Sequence, residues 1–373
     1  MTGADHIRIY GLFNQAMQVD RDRFEFDPSS VGLFQELERM VTRANSRNDN
    51  ALGYHARLVQ VIGHTLVGDP KTALTAYSWC QDFHHLADTG AEDFVLLAHE
   101  CAAYSMLEVP QYPREQVIRT IDRWSKLSGS RGRRSVIRLR ATAAMDMGDR
   151  SGAAQYLKDW DKNPRDEMSD CPACELQTLI EVQKYLGQDA QAIRTAAGLL
   201  RRKLFCDSVP HMTYGTVLVP MLRLGRLKQA LQYDSIGYRR VRKRSQFLTT
   251  VAEHLMFRTL GKSPMAAARL FEEHLPWALA STSLKGRFHF FRAASLLFAE
   301  CSRANKTTIK LRLPDECAKF LAGNAYSAER LLDWSNKNAR NLADQFDKRN
   351  GNDWYHQQIA ATDELARFAR GRM

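Results

Sequence analysis

Apolar residues along this chain occur in runs with helical spacing, and the runs come in pairs separated by a short polar turn. A glycine in the turn is followed five positions later by an alanine that opens the second run. Glycine lets the backbone reverse, and a small residue lets the second helix start close to the first. Each pair therefore predicts a helix, a tight turn and a second helix. The pattern occurs five times, at Gly68/Ala73, Gly148/Ala153, Gly187/Ala192, Gly225/Ala230 and Gly261/Ala266.

These turns recur with a regular period. Successive glycines from Gly148 onward lie 36 to 39 residues apart, and the interval from Gly68 to Gly148 is about two periods. The intervening turn falls near Tyr112, where prolines replace the glycine. A period of this length is typical of arrays of helical hairpins. The sequence thus predicts six hairpins, and Pro220 is expected to kink the first helix of the fifth.

The segments outside the periodic region are less regular. Residues 1–49 predict an N-terminal helical cap, and residues 283–373 predict a C-terminal helical cap. Within the latter, residues 307–334 read as further helix, and the polar terminal stretch predicts an amphipathic helix interrupted at Gly351. No linker rich in glycine, proline or serine divides the chain. We therefore expect one elongated body, with repeats over residues 50–282.

Composition and charge narrow the classes of protein. Apolar residues make up 44% of the 373 residues and charged residues 25%, which is ordinary for a folded chain. The net charge of +11 favours acidic partners, whether nucleic acid, protein or lipid. No run reaches the roughly 18 to 20 apolar residues that cross a bilayer, and the first residues lack the plan of a secretory signal. We expect a cytoplasmic protein whose seven scattered cysteines are thiols or metal ligands rather than disulfides.

The glycine and alanine pairs resemble the tetratricopeptide repeat, in which a small turn residue is followed five positions later by a small residue of the second helix. The resemblance covers about residues 50–280. Another family feature, a large apolar residue four positions after the alanine, stands at Tyr77, Leu157 and Leu270. Residues 206–231 are also similar to a group of bacterial proteins of this kind that has no assigned activity.

This resemblance implies an all-α fold, a right-handed solenoid of helical hairpins closed by helical caps. It also implies a concave groove, built mainly from the first helices, that holds a protein or peptide. The leading interpretation is therefore a scaffold or adaptor that binds a protein or peptide, and a peptide-responsive regulator is an alternative. Candidate groove residues on the first helices are Arg138, Gln177, Gln183, Tyr214 and Thr249.

Four residues suggest a metal site. Cys171 and Cys174 form a CPAC motif, Cys206 lies almost one repeat further on, and His211 follows it closely. Equivalent positions of adjacent repeats are neighbours in space, so these residues could converge as the thiolate and imidazole set that structural zinc prefers. Buried thiols that only pack are the main alternative, and a redox pair is another.

Basic residues recur at matching offsets after two of the turn glycines and predict a positively charged edge across adjacent repeats. Such an edge could bind nucleic acid, which is the alternative function, or it could simply be solvated because cations are favoured at helix C-termini. A separate basic run, RGRR, occupies residues 131–134. The predicted basic edge comprises Arg201, Arg202, Arg239, Arg240, Arg242, Lys243 and Arg244.

The usual short catalytic motifs do not occur in the sequence. There is no GxSxG nucleophile motif, no phosphate-binding GxxxxGK[ST] or GxGxxG loop and no HExxH zinc motif. The sequence therefore predicts a binding protein and no enzymatic activity.

Overall fold

The computed structural model describes residues 3–20, 23–29, 31–83, 91–261 and 263–371, and within these ranges the chain is mostly helical. This confirms the all-α class expected from the repeating apolar runs. No helix in the described part is long and apolar enough to cross a membrane.

The N-terminal region contains a small hairpin that the sequence pattern did not predict. Strands β1 and β2 pair antiparallel, with Met17 opposite Phe26. Helices flank the hairpin, and the first of them packs on the third helix of the chain. The elements are α1 (Gly3–Ala16), β1 (Met17–Asp20), β2 (Arg23–Phe26) and α2 (Leu33–Arg47).

Six pairs of helices follow within the described residues, one for each predicted hairpin. Each first helix contacts the first helix of the next pair. The pairs are α3 (Asn50–Leu66) with α4 (Pro70–Asp82), α5 (Glu92–Leu107) with α6 (Arg114–Ser128), α7 (Arg133–Asp146) with α8 (Arg150–Trp160), α9 (Pro172–Tyr185) with α10 (Asp189–Arg201), α11 (His211–Thr216) and α12 (Leu218–Arg223) with α13 (Leu227–Val241), and α14 (Leu248–Gly261) with α15 (Pro264–Ala280).

Four of the five predicted turn glycines have the same conformation. Gly68, Gly148, Gly187 and Gly225 have φ between 71° and 79°, in the left-handed region that favours glycine. At each turn the amide after the glycine donates to a carbonyl five residues earlier, which satisfies a free carbonyl at the helix end. The alanines five positions after these glycines are fully buried. Local chemistry therefore sets the hairpin turn at these four places.

The fifth pair does not follow this pattern. Gly261 is the last residue of α14, and its φ lies outside the left-handed region. The amide of Ser263 instead bonds the carbonyl of Arg258, and its side chain caps α15. The turn is therefore displaced toward the C-terminus, and Ala266 is only half-buried. Residue 262, inside this turn, lies outside the described residues.

The first helix of the fifth hairpin is divided in two. Helix α11 ends at Thr216 and α12 begins at Leu218, with Val217 between them. Proline lacks an amide hydrogen and its ring crowds the carbonyl four residues earlier. For Pro220 that carbonyl belongs to Thr216, where the first helix stops. The predicted kink is thus a break in the helix.

The C-terminal region is less helical than the sequence predicts. Residues 308–327 form short strands in the order β3-β5-β4 and a 3₁₀ turn rather than a helix. Pro314 and the left-handed Gly323 interrupt any helix here. The elements are α16 (Leu284–Arg303), β3 (Thr308–Ile309), β4 (Leu321–Ala322), β5 (Ala325–Ser327), α17 (Ala328–Asn350) and α18 (Trp354–Arg370). Gly351, with φ 70°, ends α17 and confirms the predicted interruption.

Contacts of the C-terminal helices extend well beyond the last hairpin. Lys285, on α16, lies 2.6 Å from a carboxylate oxygen of Glu108 and 2.8 Å from one of Asp146. Arg349, on α17, donates to carbonyls at the C-terminal end of α5, including that of Leu107 at 3.4 Å. Positive groups thus meet the negative ends of α5 and α7, which is a favourable arrangement. This region therefore joins the middle of the array as well as closing its end. Asn350 adds a bond to the carbonyl of Asp146, at the end of α7.

Candidate metal centre and basic edge

Three of the four predicted metal ligands come together. The sulfur atoms of Cys171, Cys174 and Cys206 lie within 4.8 Å of one another. Those of Cys174 and Cys206 are 3.3 Å apart. Two of these residues lie at the start of α9 and the third comes from the segment between α10 and α11, so the packing of that segment against α9 assembles the cluster.

The local sequence places each thiol. Cys171 is the residue that precedes α9, where Pro172 opens the first turn, and its sulfur accepts the amide of Cys174 at 3.4 Å. Cys206 lies in the segment between α10 and α11, and its amide donates to the carbonyl of Val209 at 2.8 Å. Cys206 is buried, whereas Cys171 and Cys174 are half-buried. Solvent can therefore reach one side of the cluster.

Hydrogen bonds among the three sulfur atoms shift the pKa of each thiol. Hydrogen bonds from Cys174 and Cys206 move the pKa of Cys171 well below its ordinary value. Hydrogen bonding to Cys171 raises the pKa of Cys206 to about 11 and that of Cys174 well above its ordinary value. The cluster thus favours one thiolate held by two thiols, and a metal ion could take the place of the shared protons.

Soft thiolate ligands of this kind suit zinc, copper(I) and iron–sulfur chemistry.

No family model, curated protein or solved structure matches this chain. Its candidate sites therefore rest on the geometry of its own residues. The other four cysteines, Cys80, Cys101, Cys301 and Cys317, are buried free thiols outside this cluster.

His211 does not join the cysteine cluster, contrary to the prediction. It is the first residue of α11, and its ring stacks on Phe247 with centroids 5.7 Å apart and planes 13° apart. The segment between Cys206 and α11 carries the imidazole toward the start of the sixth hairpin. Proximity in sequence to Cys206 therefore gave the wrong fourth ligand.

The residues of the predicted basic edge lie at the ends of α10 and α13 and in the segment that follows α13. Arg244 forms an ion pair with Asp207 and lies over the ring of Phe247, 4.8 Å from its centroid. This ion pair joins the segment after α10 to the segment after α13. The cations on either side of it are exposed and form no ion pair in the described part of the chain, namely Arg201, Arg202, Arg239, Arg240, Arg242 and Lys243.

Two further residues of this edge were not predicted. Lys203 extends the basic run and is exposed, and Phe205 is 38% exposed, which is unusual for a large apolar side chain. The sequence signal for both was present in RRKLF, directly before Cys206. The surface therefore combines cations with one aromatic ring.

Two of the three arginines in the other basic run form ion pairs within the chain. Arg131 contacts Glu167 at 2.7 Å and Asp93 at 2.5 Å. Arg134 pairs with Glu175 at 2.9 Å and lies over the Trp160 ring, 3.8 Å from its centroid. These two cations contribute to packing between hairpins, whereas Arg133 between them is exposed and forms no ion pair among the described residues.

Three of the five candidate groove residues are enclosed by the fold. Gln177 and Gln183 are 4% and 5% exposed. Gln177 accepts from Thr213 at 2.6 Å, and Gln183 accepts from Thr195 at 2.9 Å. Their polar groups are therefore used within the chain.

Arg138, the third, forms an ion pair with Asp170 and lies 3.8 Å from Glu100. Burial raises the pKa of Glu100 to about 8, and repulsion from Asp170 adds to this effect. Tyr214 and Thr249 are half-buried. Sequence position alone did not reveal the contacts of Arg138 with Asp170 and Glu100, because they form only where α5, α7 and the start of α9 meet.

Proposed function

We propose that this chain is a non-enzymatic helical-repeat protein that binds an acidic segment of another protein along its basic edge. In this proposal α3 to α15 form a right-handed, tetratricopeptide-like solenoid. The observation that carries the proposal is the set of exposed cations at the ends of α10 and α13, which have no acidic partner among the described residues. Such a surface attracts and orients a carboxylate-rich partner.

The edge is a better candidate surface than the groove. Gln177, Gln183 and Arg138 already have partners inside the chain, and a ligand would have to replace those contacts. Desolvating satisfied polar groups without improving their hydrogen bonds gives little net affinity. The cations of the edge other than Arg244, in contrast, are exposed and have no acidic partner to give up among the described residues.

An acidic protein segment fits this edge better than nucleic acid does. The edge is short, since it spans two helix ends, whereas nucleic-acid binders usually follow a longer phosphate backbone. The RGRR run that would lengthen it is neutralised at Arg131 and Arg134. Phe205 adds an apolar contact of the kind that anchors protein segments.

The cysteine cluster supports a second element of the proposal, a structural zinc ion. Three convergent thiolates from two successive hairpins would tie those hairpins together. A reducing, cytoplasmic location is part of this proposal because it keeps the thiols able to bind metal. Metal analysis of protein purified without chelator tests it, and less than about a tenth of an equivalent of zinc would contradict it.

Binding to a fluorescent peptide of glutamates tests the proposed edge. We expect binding that weakens between about 50 mM and 200 mM salt and falls about tenfold in the double variant Arg239→Glu, Arg240→Glu. The matched control is Arg119→Glu, Lys126→Glu, which reverses two exposed charges on α6 and should bind like the original chain.

A single-stranded RNA of comparable charge is measured in parallel. Tighter binding of the RNA than of the peptide, lost in the same double variant, would favour the nucleic-acid alternative and contradict our proposal. Equal loss of peptide binding in the α6 control would show that net charge rather than the edge is responsible.

A further inference from the structure

We infer that metal binding at Cys171, Cys174 and Cys206 orders the basic edge and so controls its affinity for an acidic partner. This inference rests on the proposed function of the edge. It concerns the segment between α10 and α11, residues 202–210, which contains one ligand of the cluster and part of the binding surface.

This segment connects the cysteine cluster to the basic edge within three consecutive residues. Cys206 belongs to the cluster, Phe205 immediately before it is exposed on the edge, and Asp207 immediately after it pairs with Arg244. A backbone shift at Cys206 would therefore move both the aromatic ring and the carboxylate that pairs with Arg244.

The segment is anchored on one side only, because Leu204, Cys206 and Val209 pack in an apolar cluster whereas residues 202, 203 and 205 are exposed. Its backbone bonds are local, such as that from Cys206 to Val209 at 2.8 Å and that from Leu204 to Leu199 at 3.4 Å. Lys203 has φ 52°, a left-handed conformation that is unfavourable for a residue with a side chain. Arg244 connects the segment to the end of α13 through its ion pair with Asp207 and a bond to the Asp207 carbonyl at 3.1 Å. The cluster is therefore well placed to fix the segment.

The spacing of the sulfur atoms is close to that of a metal site. Two thiolates bound tetrahedrally to zinc at about 2.3 Å lie about 3.8 Å apart. The observed sulfurs are 3.3 Å apart for Cys174 and Cys206 and within 4.8 Å for the whole set. Binding thus requires only small movements of the three sulfur atoms.

The donor set also favours exchange of the metal. Among the described residues the cluster contains three ligands, and no fourth histidine, cysteine or carboxylate belongs to it. A solvent molecule would complete a tetrahedral site on the half-buried side formed by Cys171 and Cys174. An open position lets competing ligands approach, so a chelator should remove the bound metal and added metal should restore it.

The order of the segment should then set the affinity of the edge. With metal bound, Lys203 and Phe205 are held beside the cations of α13, and the partner meets a preformed surface. Without metal, binding must also order residues 202–207, which costs conformational entropy. The metal-loaded chain should therefore bind the acidic partner more tightly.

The experiment uses the full chain, reduced and stripped of metal, before and after loading with one equivalent of cobalt(II) or zinc and removal of the excess. Thiolate-to-cobalt charge-transfer absorption reports binding at the cluster. Affinity for the glutamate peptide is measured by fluorescence anisotropy. We expect about tenfold tighter binding on loading, a free-energy difference of about 1.4 kcal/mol.

Two variants and one peptide-free measurement make the outcome decisive. Cys206→Ser should bind the peptide with the metal-free affinity in all conditions, and Cys301→Ala, which changes a buried cysteine outside the cluster, should behave like the original chain. Hydrogen exchange of residues 203–209 should slow on loading in the absence of peptide.

The results separate this inference from the proposed function. Equal peptide affinity with and without bound cobalt would overturn the inference and leave the basic edge intact as a binding site. Failure of the peptide to bind in any state would contradict the proposed function. Hydrogen exchange would then still test whether bound metal orders residues 203–209. Unchanged exchange on loading, or no thiolate–cobalt absorption, overturns the inference.

Discussion

Two of the turn glycines, Gly148 and Gly187, have similar backbone conformations but different surroundings. Gly148 and Gly187 have similar φ values of 73° and 79° at equivalent turns. A Cβ atom at Gly148 would lie 2.7 Å from the Cβ of Trp354, whereas a Cβ at Gly187 would meet nothing within 4 Å. The two positions therefore share the backbone requirement and differ only in their surroundings.

We predict that Gly187→Ala lowers the free energy of unfolding by about 1–2 kcal/mol, the cost of a left-handed alanine. Gly148→Ala should cost about 2–5 kcal/mol, because a clash with Trp354 is added to the same strain. Urea denaturation of both variants measures the difference. Equal losses would mean that α18 moves away without cost.

Neighbouring helices α5 and α7 bury a carboxyl group whose ionisation opposes folding. Burial raises the pKa of Glu100, on α5, to about 8 from an ordinary value of 4.5. Arg138, on α7, partly offsets this effect, and Asp170 reinforces it. The protonated form is thus the form that the packed helices favour.

The sign of the resulting pH dependence follows from this shift. The stabilising contribution is complete below pH 4.5 and is lost as the pH rises toward 8, since in this range the unfolded chain ionises Glu100 while the folded chain keeps its proton. The Glu100→Gln variant keeps a neutral group there. Its stability relative to the original chain should therefore increase between pH 5 and pH 8, as measured by urea denaturation. A pH-independent difference would contradict the raised pKa.

Helix boundaries also show where sequence patterns are sufficient. Four glycine turns and the paired helices of the array follow from local periodicity and from the conformational freedom of glycine. The displaced turn after Gly261 and the strands at residues 308–327 do not, since capping by Ser263 and pairing of β5 with two other strands decide them. Apolar content alone cannot distinguish such strands from helix.

The molecule as a whole is held together by contacts between its C-terminal helices and the middle of the array. Lys285 of α16 bridges Glu108 and Asp146, which end α5 and α7. In the sequence, Asp146 is 139 residues from Lys285. Glu108 is 175 residues from Ser283, which lies two positions before Lys285. The bridge therefore couples folding of the two regions.

We predict that Lys285→Met lowers the free energy of unfolding by about 3–5 kcal/mol, because it leaves the largely enclosed Asp146 carboxylate, 18% exposed, without its ion-pair partner. The double variant Lys285→Met, Asp146→Asn should recover part of this loss. A double-mutant cycle by urea denaturation measures the coupling. Additive losses would show that the two groups contribute independently.

The order of the hairpins could be read from the amino-acid sequence because it depends on interactions within a few residues: helical periodicity, the left-handed conformation of glycine and close packing at alanine. The basic residues at matching offsets could be recognised for the same reason. In contrast, the meeting of three cysteines without His211, the enclosure of Arg138 and Gln177, and the position of α16 to α18 depend on contacts between distant segments. Those contacts are fixed by packing and by the burial of charge across the whole fold, and no local pattern records them.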